Sequence, residues 1–376
     1  MTRKIRVVHI VNNLHYGGME RVIAEITRRT DRSEFETHVL GLQFIGHFGE
    51  GLQAFATVHV ADPMPRWSML YPATLARQLK RIAPDVVHMH SGVWYKAVKA
   101  AAIAGVPYSI FTDHGREAGE PWLNRVVDEL ASRRTDAVVC VSAELRDRVE
   151  RIVHYPSRVR VIHNGVDTQH YSPRSDEGDF RREIGIDAAT PIVGSVGRLE
   201  PVKGYRVMVE AFARLLKMSP DSPRPALVLV GDGLERSALE RSAASLGVAD
   251  AVHFMGWRSD IERISRAFTV FSMSSHSEGT SVSLLEAMSA GLCPVVTDVG
   301  GNAAVLGPAL KHRLVPPADP GALATALSHA LSDRDARERD AAIARARVIA
   351  DFDLDSMVRQ YEALYRNARQ GNRTER

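Results

Sequence analysis

The chain has 376 residues, of which 45% are hydrophobic, 25% charged and 6% aromatic, with 27 Gly and 18 Pro. That length predicts two domains of ordinary size, and the composition excludes disordered, collagen-like and low-complexity chains. A net charge of +3, from 48 Lys and Arg against 45 Asp and Glu, is too balanced for a protein that lives on a nucleic-acid backbone.

The opening stretch MTRKIRVVHIVNN has a basic start, but its apolar run is short, interrupted by His9 and closed by Asn12 and Asn13. It reads as a first strand and not as a signal peptide, and no run of about 18 apolar residues elsewhere is available to span a membrane. Short β-branched runs then alternate with helix-period segments. Strands are expected at 5–11, 37–42, 55–60, 85–90, 107–112, 137–141 and 159–163. Amphipathic stretches such as MERVIAEITRR and LARQLKRI lie between them, the pattern of a parallel sheet with crossover helices.

Periodicity fails at TQHYSPRSDEGD (168–179), which reads as an interdomain linker. The pattern restarts with strands expected at 191–197, 226–233, 251–256, 268–275, 293–298 and 313–317. The fold class is therefore α/β, two doubly wound Rossmann-like domains, an N-terminal one over 1–168 and a C-terminal one over 169–355. A terminal helix over 356–376, capped by Asp353 or Asp355, is expected to pack back on the first domain. The first 168 residues hold four more cations than anions and the remainder one fewer. This surplus reads either as a solvated surface or as peripheral contact with anionic lipid, with Arg28-Arg29 and Arg133-Arg134 as candidate clusters. Cys140 and Cys293 each lie in an apolar run and read as buried thiols of a reducing, cytoplasmic compartment.

In open α/β sheets ligands sit beyond the carboxyl ends of the strands, and three motifs fall there. Gly17-Gly18-Met19-Glu20 follows the first strand and opens a helix, where a bare backbone and a helix N-terminus suit a phosphate; an ordinary turn is the alternative. It is not GxGxxG, which removes the main fingerprint of nicotinamide binding. SVGRLEPVKGY (195–205) sends Arg198 and Lys203 off one strand end, two cations placed to pair with a diphosphate. EGTSVSLLEAMSAG (278–291) carries Glu278 on a loop and Glu286 in the second turn of a helix starting near Ser281. Residues Thr280 to Leu284 offer free amides at that helix start.

Taken together, HIVNNLHYGGME, DVVHMHSG, TDHG, VIHNGVD, SVGRLEPVKG, LVGDG, VHFMGW, SHSEGTSVSLLEAMSAGLCPVVTDVGG and LVPPADP, in that order along the chain, resemble family 4 glycosyltransferases of the GT-B fold, in which two Rossmann-like domains face each other across a cleft. The resemblance implies a hexosyltransferase-type enzyme that moves a sugar from a nucleotide-diphosphate donor to a glycan, lipid-linked or small-molecule hydroxyl, with retention of configuration and with neither metal nor other cofactor. It assigns His114, Arg198, Lys203 and Glu278 to catalysis. It assigns Gly17, Gly18, Arg198, Lys203, Arg258, Glu278, Gly279, Thr280, Ser281, Val282, Ser283 and Glu286 to the donor. The family often has Phe-Gly after the first Glu of EGTSVSLLE, where this chain has Gly279-Thr280, a departure that bears on the sugar. Alternative readings are a catalytically silent nucleotide-sugar binding protein or a GT-B epimerase.

Other patterns imitate metal sites. Asp351-Phe-Asp353 and Asp353-Leu-Asp355 spell DxD, but at a helix start, where capping is the expected role. His88 and His90 share a strand face, yet no third ligand follows at metal-site spacing, so packing or acceptor-side hydrogen bonding is expected.

Overall fold

The computed structural model describes residues 3–15, 17–115, 122–174, 178–218 and 223–369. Two α/β units emerge. The first runs to Asn164 and takes up the chain again from Leu354; the second spans Gly165–Asp353.

The first unit holds seven parallel strands: β1 Ile5–Val11, β2 Phe35–Gly41, β3 Thr57–Val60, β4 Val86–His90, β5 Tyr108–Asp113, β6 Ala137–Cys140 and β7 Val159–Val161. Their order is β3-β2-β1-β4-β5-β6-β7. The second unit holds six: β8 Ile192–Val196, β9 Ala226–Val230, β10 Val252–Phe254, β11 Val270–Met273, β12 Cys293–Thr297 and β13 Leu314–Val315, in the order β10-β9-β8-β11-β12-β13. Each sheet reverses its direction of winding once, between β1 and β4 in the first and between β8 and β11 in the second. Those reversals open the crevices where doubly wound sheets take ligands.

Parallel strands covered on both faces read as near-continuous apolar runs; β9 does so, while β1 and β4 carry histidines among their apolar residues. Ile5, Val7, Val8, Ile10 and Val11 are sealed from solvent, as are Leu227, Val228 and Leu229. Each such side chain contributes about 1.5–3 kcal/mol by leaving water, and truncating Phe212, buried in the second unit, to Ala would cost roughly 3–5 kcal/mol.

The Pro- and Ser-rich stretch expected as a linker belongs wholly to the second unit, apart from residues 175–177, which lie outside the described residues. Tyr171 explains why: its ring is buried in that unit's core with Phe180, and its carbonyl accepts from Ser289 Oγ at 2.7 Å. The change of unit comes earlier, at Asn164–Gly165, and the return comes at Asp353–Leu354, with the Val166 amide bonded to the Phe352 carbonyl at 2.9 Å. The last helix, Leu354–Arg366, buries Leu354, Met357, Val358, Tyr361, Leu364 and Tyr365 along one stripe. It is held to the first unit by Arg29–Asp355 and Arg366–Glu34, both at 2.7 Å, and by the Asp31 amide donating to Glu362 Oε1 at 2.8 Å. Arg28 and Arg29 are therefore engaged, with Glu25 and Asp355, and do not form an open basic patch.

Candidate active site

In the second unit the chain leaves β8 through a short 3-10 turn, Pro201–Lys203, and reaches Gly204 at φ 63°. A β-carbon there would lie 2.2 Å from the Ser274 carbonyl oxygen, so only glycine lets this loop lie against the end of β11. Ser274 Oγ fastens the contact by donating to the carbonyls of Lys203 and Gly204 at 3.1 and 2.9 Å. The backbone of Glu278 is held as closely from the other side. At Gly300 (φ 53°) a β-carbon would fall 1.8 Å from the Glu278 carbonyl oxygen, and the Gly301 amide donates to Gly279 at 3.1 Å.

These approaches bring together two residues 75 positions apart in sequence. Lys203 Nζ meets Glu278 Oε1 at 2.6 Å, and Ser275 Oγ donates to the same oxygen at 2.6 Å. The Glu278 side chain is 6% exposed and that of Lys203 23%. A desolvated pair of this kind is worth far more when intact than when broken, because either partner alone would be a buried charge. Both hydrogen bonds fall on Oε1; among the described residues none reaches the second carboxylate oxygen. Arg198 stands more open, 55% exposed and paired with Glu200 at 3.0 Å. The helix Val282–Ser289 begins where expected, with Ser281 as its N-cap accepting from the Leu284 amide at 3.4 Å. Thr280 and Ser281 are buried, Gly279, Val282 and Ser283 half-buried, and Glu286 lies buried in the second turn.

Arg258 lies elsewhere. It follows β10 at the sheet edge, and each of its three nitrogens faces a carboxylate: Nε and Nη2 reach Asp260 at 2.9 Å, and Nη1 reaches Glu183 at 2.5 Å. Arg263 joins the same two acids. The hydrogen bond from Arg258 holds the Asp260 carboxyl well below the usual carboxylate range. In the described structure this arginine is a clamp between two segments of the second unit.

In the first unit the histidines of the site are neutral. Gly17 precedes the helix Gly18–Arg29 and, with Gly18, lies near the end of β1. A side chain at 17 would collide with the Glu20 carboxylate, 2.2 Å away, so an acid already occupies that helix start. His114, after β5, is half-buried; its amide donates to Ser91 Oγ at 2.9 Å, and its Nε2 lies 3.0 Å from His90 Nδ1. His90 Nε2 lies 3.1 Å from His9 Nδ1. His88 is separately satisfied, with Nδ1 2.9 Å from the Tyr365 hydroxyl and Nε2 2.8 Å from Thr112 Oγ1. Burial pushes His9 and His114 down to about 3, and His88 and His90 well below their ordinary value, so all four are neutral at pH 7.

The third histidine missing from the sequence pattern is His9. It is paired in register with His88 across β1 and β4, and ring nitrogens of His9, His88 and His90 come within 4.8 Å of one another. Strand-to-strand register, invisible to spacing along the chain, made that neighbour. Ser275, which completes the Glu278 contacts, is a local neighbour three residues before it on the same loop. The DxD carboxylates are otherwise engaged: Asp351 bonds Arg347 at 2.9 Å and Asp355 bonds Arg29.

Residues 16–170 match the family described as Glycosyltransferase Family 4, and residues 176–347 match Glycosyl transferases group 1. The two matches lie end to end and leave out only 1–15, 171–175 and 348–376. The chain is 32% identical over 257 residues to a D-inositol 3-phosphate glycosyltransferase of Corynebacterium urealyticum, covering 66% of this chain and 60% of that relative. It is 26% identical over 322 residues to the Escherichia coli UDP-Gal:alpha-D-GlcNAc-diphosphoundecaprenol alpha-1,3-galactosyltransferase, covering 80% of this chain and 81% of the relative. Among solved structures it resembles Anabaena HepE in complex with UDP and glucose, with a TM-score of 0.83 at 21% identity over 96% of this chain and 98% of that one. At that identity the likeness establishes the fold, two Rossmann-like units of the GT-B type.

Proposed function

The chain belongs to the group 1 glycosyltransferases, a family of transferase enzymes, and on that premise we propose that it moves a sugar from a uridine diphosphate donor to a hydroxyl acceptor, with retention and without a divalent metal. The observation that carries this reading is the Lys203–Glu278 pair at the winding reversal between β8 and β11. A departing diphosphate must lose its charge burden to a metal or to fixed cations and amides. Lys203 and Arg198 supply the fixed cations, and the amides from Ser281 to Ser283 supply neutral donors at a helix start. Glu278 holds Lys203 in place until the phosphates compete for it, and its free oxygen is suited to a sugar hydroxyl. Glu286, buried on the helix behind, is suited to a ribose hydroxyl.

The donor base is read from the relatives, one named for UDP-galactose and one solved with UDP. Retention follows from the family resemblance, with Glu278, the carboxylate of this pair, engaged by Lys203 and Ser275. Proton NMR of the first product, formed in excess chelator, tests the reading: the donor's anomeric configuration is expected unchanged at full rate. Magnesium-rescued turnover or an inverted coupling overturns it. Thermal shifts against a panel of sugar nucleotides test the base, since a donor at 100 times its Kd stabilises by about 2.7 kcal/mol.

We also infer that the first unit meets a lipid-linked acceptor at an anionic membrane surface. No helix among the described residues is long and apolar enough to cross a membrane. The helix Trp122–Ser132 nevertheless exposes Trp122, Leu123, Val126 and Leu130 along one side, beside the exposed cation Arg125; Arg133, also exposed, is paired with Glu129 at 2.9 Å. Apolar side chains flanked by cations are the composition of interfacial helices. Sedimentation with anionic but not neutral vesicles is expected at low salt; no preference between them overturns the inference.

A further inference from the structure

We infer that His9 and His90 are positioning residues that fix the tautomer of His114, so that His114 presents a neutral Nδ1–H to the ligand. The inference deepens the transferase reading and rests on it only for the identity of that ligand.

The three rings form one hydrogen-bonded chain, His9 Nδ1 to His90 Nε2 and His90 Nδ1 to His114 Nε2. The ring of His9 stacks on that of His90, interplanar angle 11°, centroids 5.4 Å apart. Two nitrogens have neither solvent nor a partner: His9 Nε2 at one end and His114 Nδ1 at the other. None of the chain's bonds goes to a carboxylate, so a buried imidazolium would stand uncompensated, and each ring carries one proton.

Each ring must then donate forwards or backwards, and one choice sets all three. Pointing towards His9 places an N–H on His9 Nε2, inside a sealed strand pair where no ligand reaches it. Pointing towards His114 leaves His9 Nε2 a bare acceptor and moves the unpaired N–H to a half-buried residue at the carboxyl end of β5. Buried N–H groups without partners are rarer than bare acceptors, and only the second direction puts the donor on a partly exposed residue at a strand end, the side from which ligands approach an open α/β sheet. The chain has no outlet at His9, which is fully buried, so it cannot carry protons to solvent; it can only set direction. His88 takes no part, since both its nitrogens are held by hydroxyls.

Long-range proton–nitrogen NMR of the ligand-free protein at neutral pH, assigned with single-histidine variants, is expected to show His9, His90 and His114 all protonated on Nδ1. An Nε2–H tautomer or an imidazolium on His114 overturns the inference. His90→Gln keeps an acceptor towards His9 and a donor towards His114, so the His114 tautomer and kcat should survive. His90→Leu should mix the tautomers and lower kcat by up to about a hundredfold. Where His90→Leu fails to fold, His9→Phe keeps a ring in the stack and serves for the same comparison. Equal losses in the Gln and Leu variants overturn the inference, as does stoichiometric zinc in the purified protein, which would claim the nitrogens that the chain shares. The stated tautomers without turnover on any sugar nucleotide would count against the transferase reading alone.

Discussion

The two units place their polar groups at the same point of the same fold and solve opposite problems there. At the reversal between β8 and β11 the second unit buries opposite charges, Lys203 against Glu278. At the reversal between β1 and β4 the first unit buries neutral rings, three of them, His9, His90 and His114, hydrogen-bonded in sequence. A charge pair stores electrostatic work that a diphosphate can claim when it arrives. A neutral chain stores none, but it has a direction. The fold leaves the chemistry of the crevice open, and the few side chains at the strand ends decide it.

The sharpest way to break this contrast is at Lys203. Lys203→Ala should cost roughly 3 kcal/mol of transition-state stabilisation, about a hundredfold in kcat, and should also destabilise the second unit by leaving Glu278 buried and unpaired. Adding Glu278→Gln should restore part of the stability and none of the turnover, as read by urea unfolding and steady-state rates. If the double variant recovers turnover, the pair is structural and the contrast falls.

Acid should separate the units next. His9 and His114 titrate near 3 when folded, against an ordinary 6.5. As pH falls from 6.5 towards 3 the unfolded chain binds protons that the folded first unit refuses, so stability is full above 6.5 and declines below it. Each buried histidine contributes a slope of up to about 1.4 kcal/mol per pH unit. In the second unit Asp260 and Glu183 are held low by Arg258, so their stabilisation is lost only as pH falls through the ordinary 3.8 and 4.5. Hydrogen exchange at stepwise lower pH, corrected for intrinsic rates, should find the first unit losing protection first. Simultaneous loss, or the second unit leading, would refute the difference.

The smallest effect is expected at Arg258. Its partners are partly exposed, so Arg258→Ala should cost about 1 kcal/mol, with the donor KM unchanged. A tenfold rise in donor KM would return Arg258 to the donor site.

Much of the fold was legible beforehand because buried parallel strands are written as apolar runs: β1 was expected at 5–11 and forms over Ile5–Val11. The linker was misplaced because Pro and Ser mark a loop but not which core its aromatic residue enters, and Tyr171 enters the second. For Arg258 the sequence shows a cation after a strand but not its partners Asp260 and Glu183, since a strand end looks the same in sequence whatever awaits it.

By itself, then, the sequence determined the alternation of strands and helices, the glycines at 204 and 300 that close contacts require, and the residue types at the strand ends. All of these are local, set by backbone conformation and by the apolar character of short runs. Only tertiary structure decided which side chains meet. Lys203 reaches Glu278 because Gly204 lies against the end of β11, and His9 reaches His90 because β1 and β4 are neighbours at the winding reversal. Pairing of that kind depends on strand order and register, which short-range spacing does not encode. It is also where the buried charge and the buried hydrogen bonds of this protein are balanced.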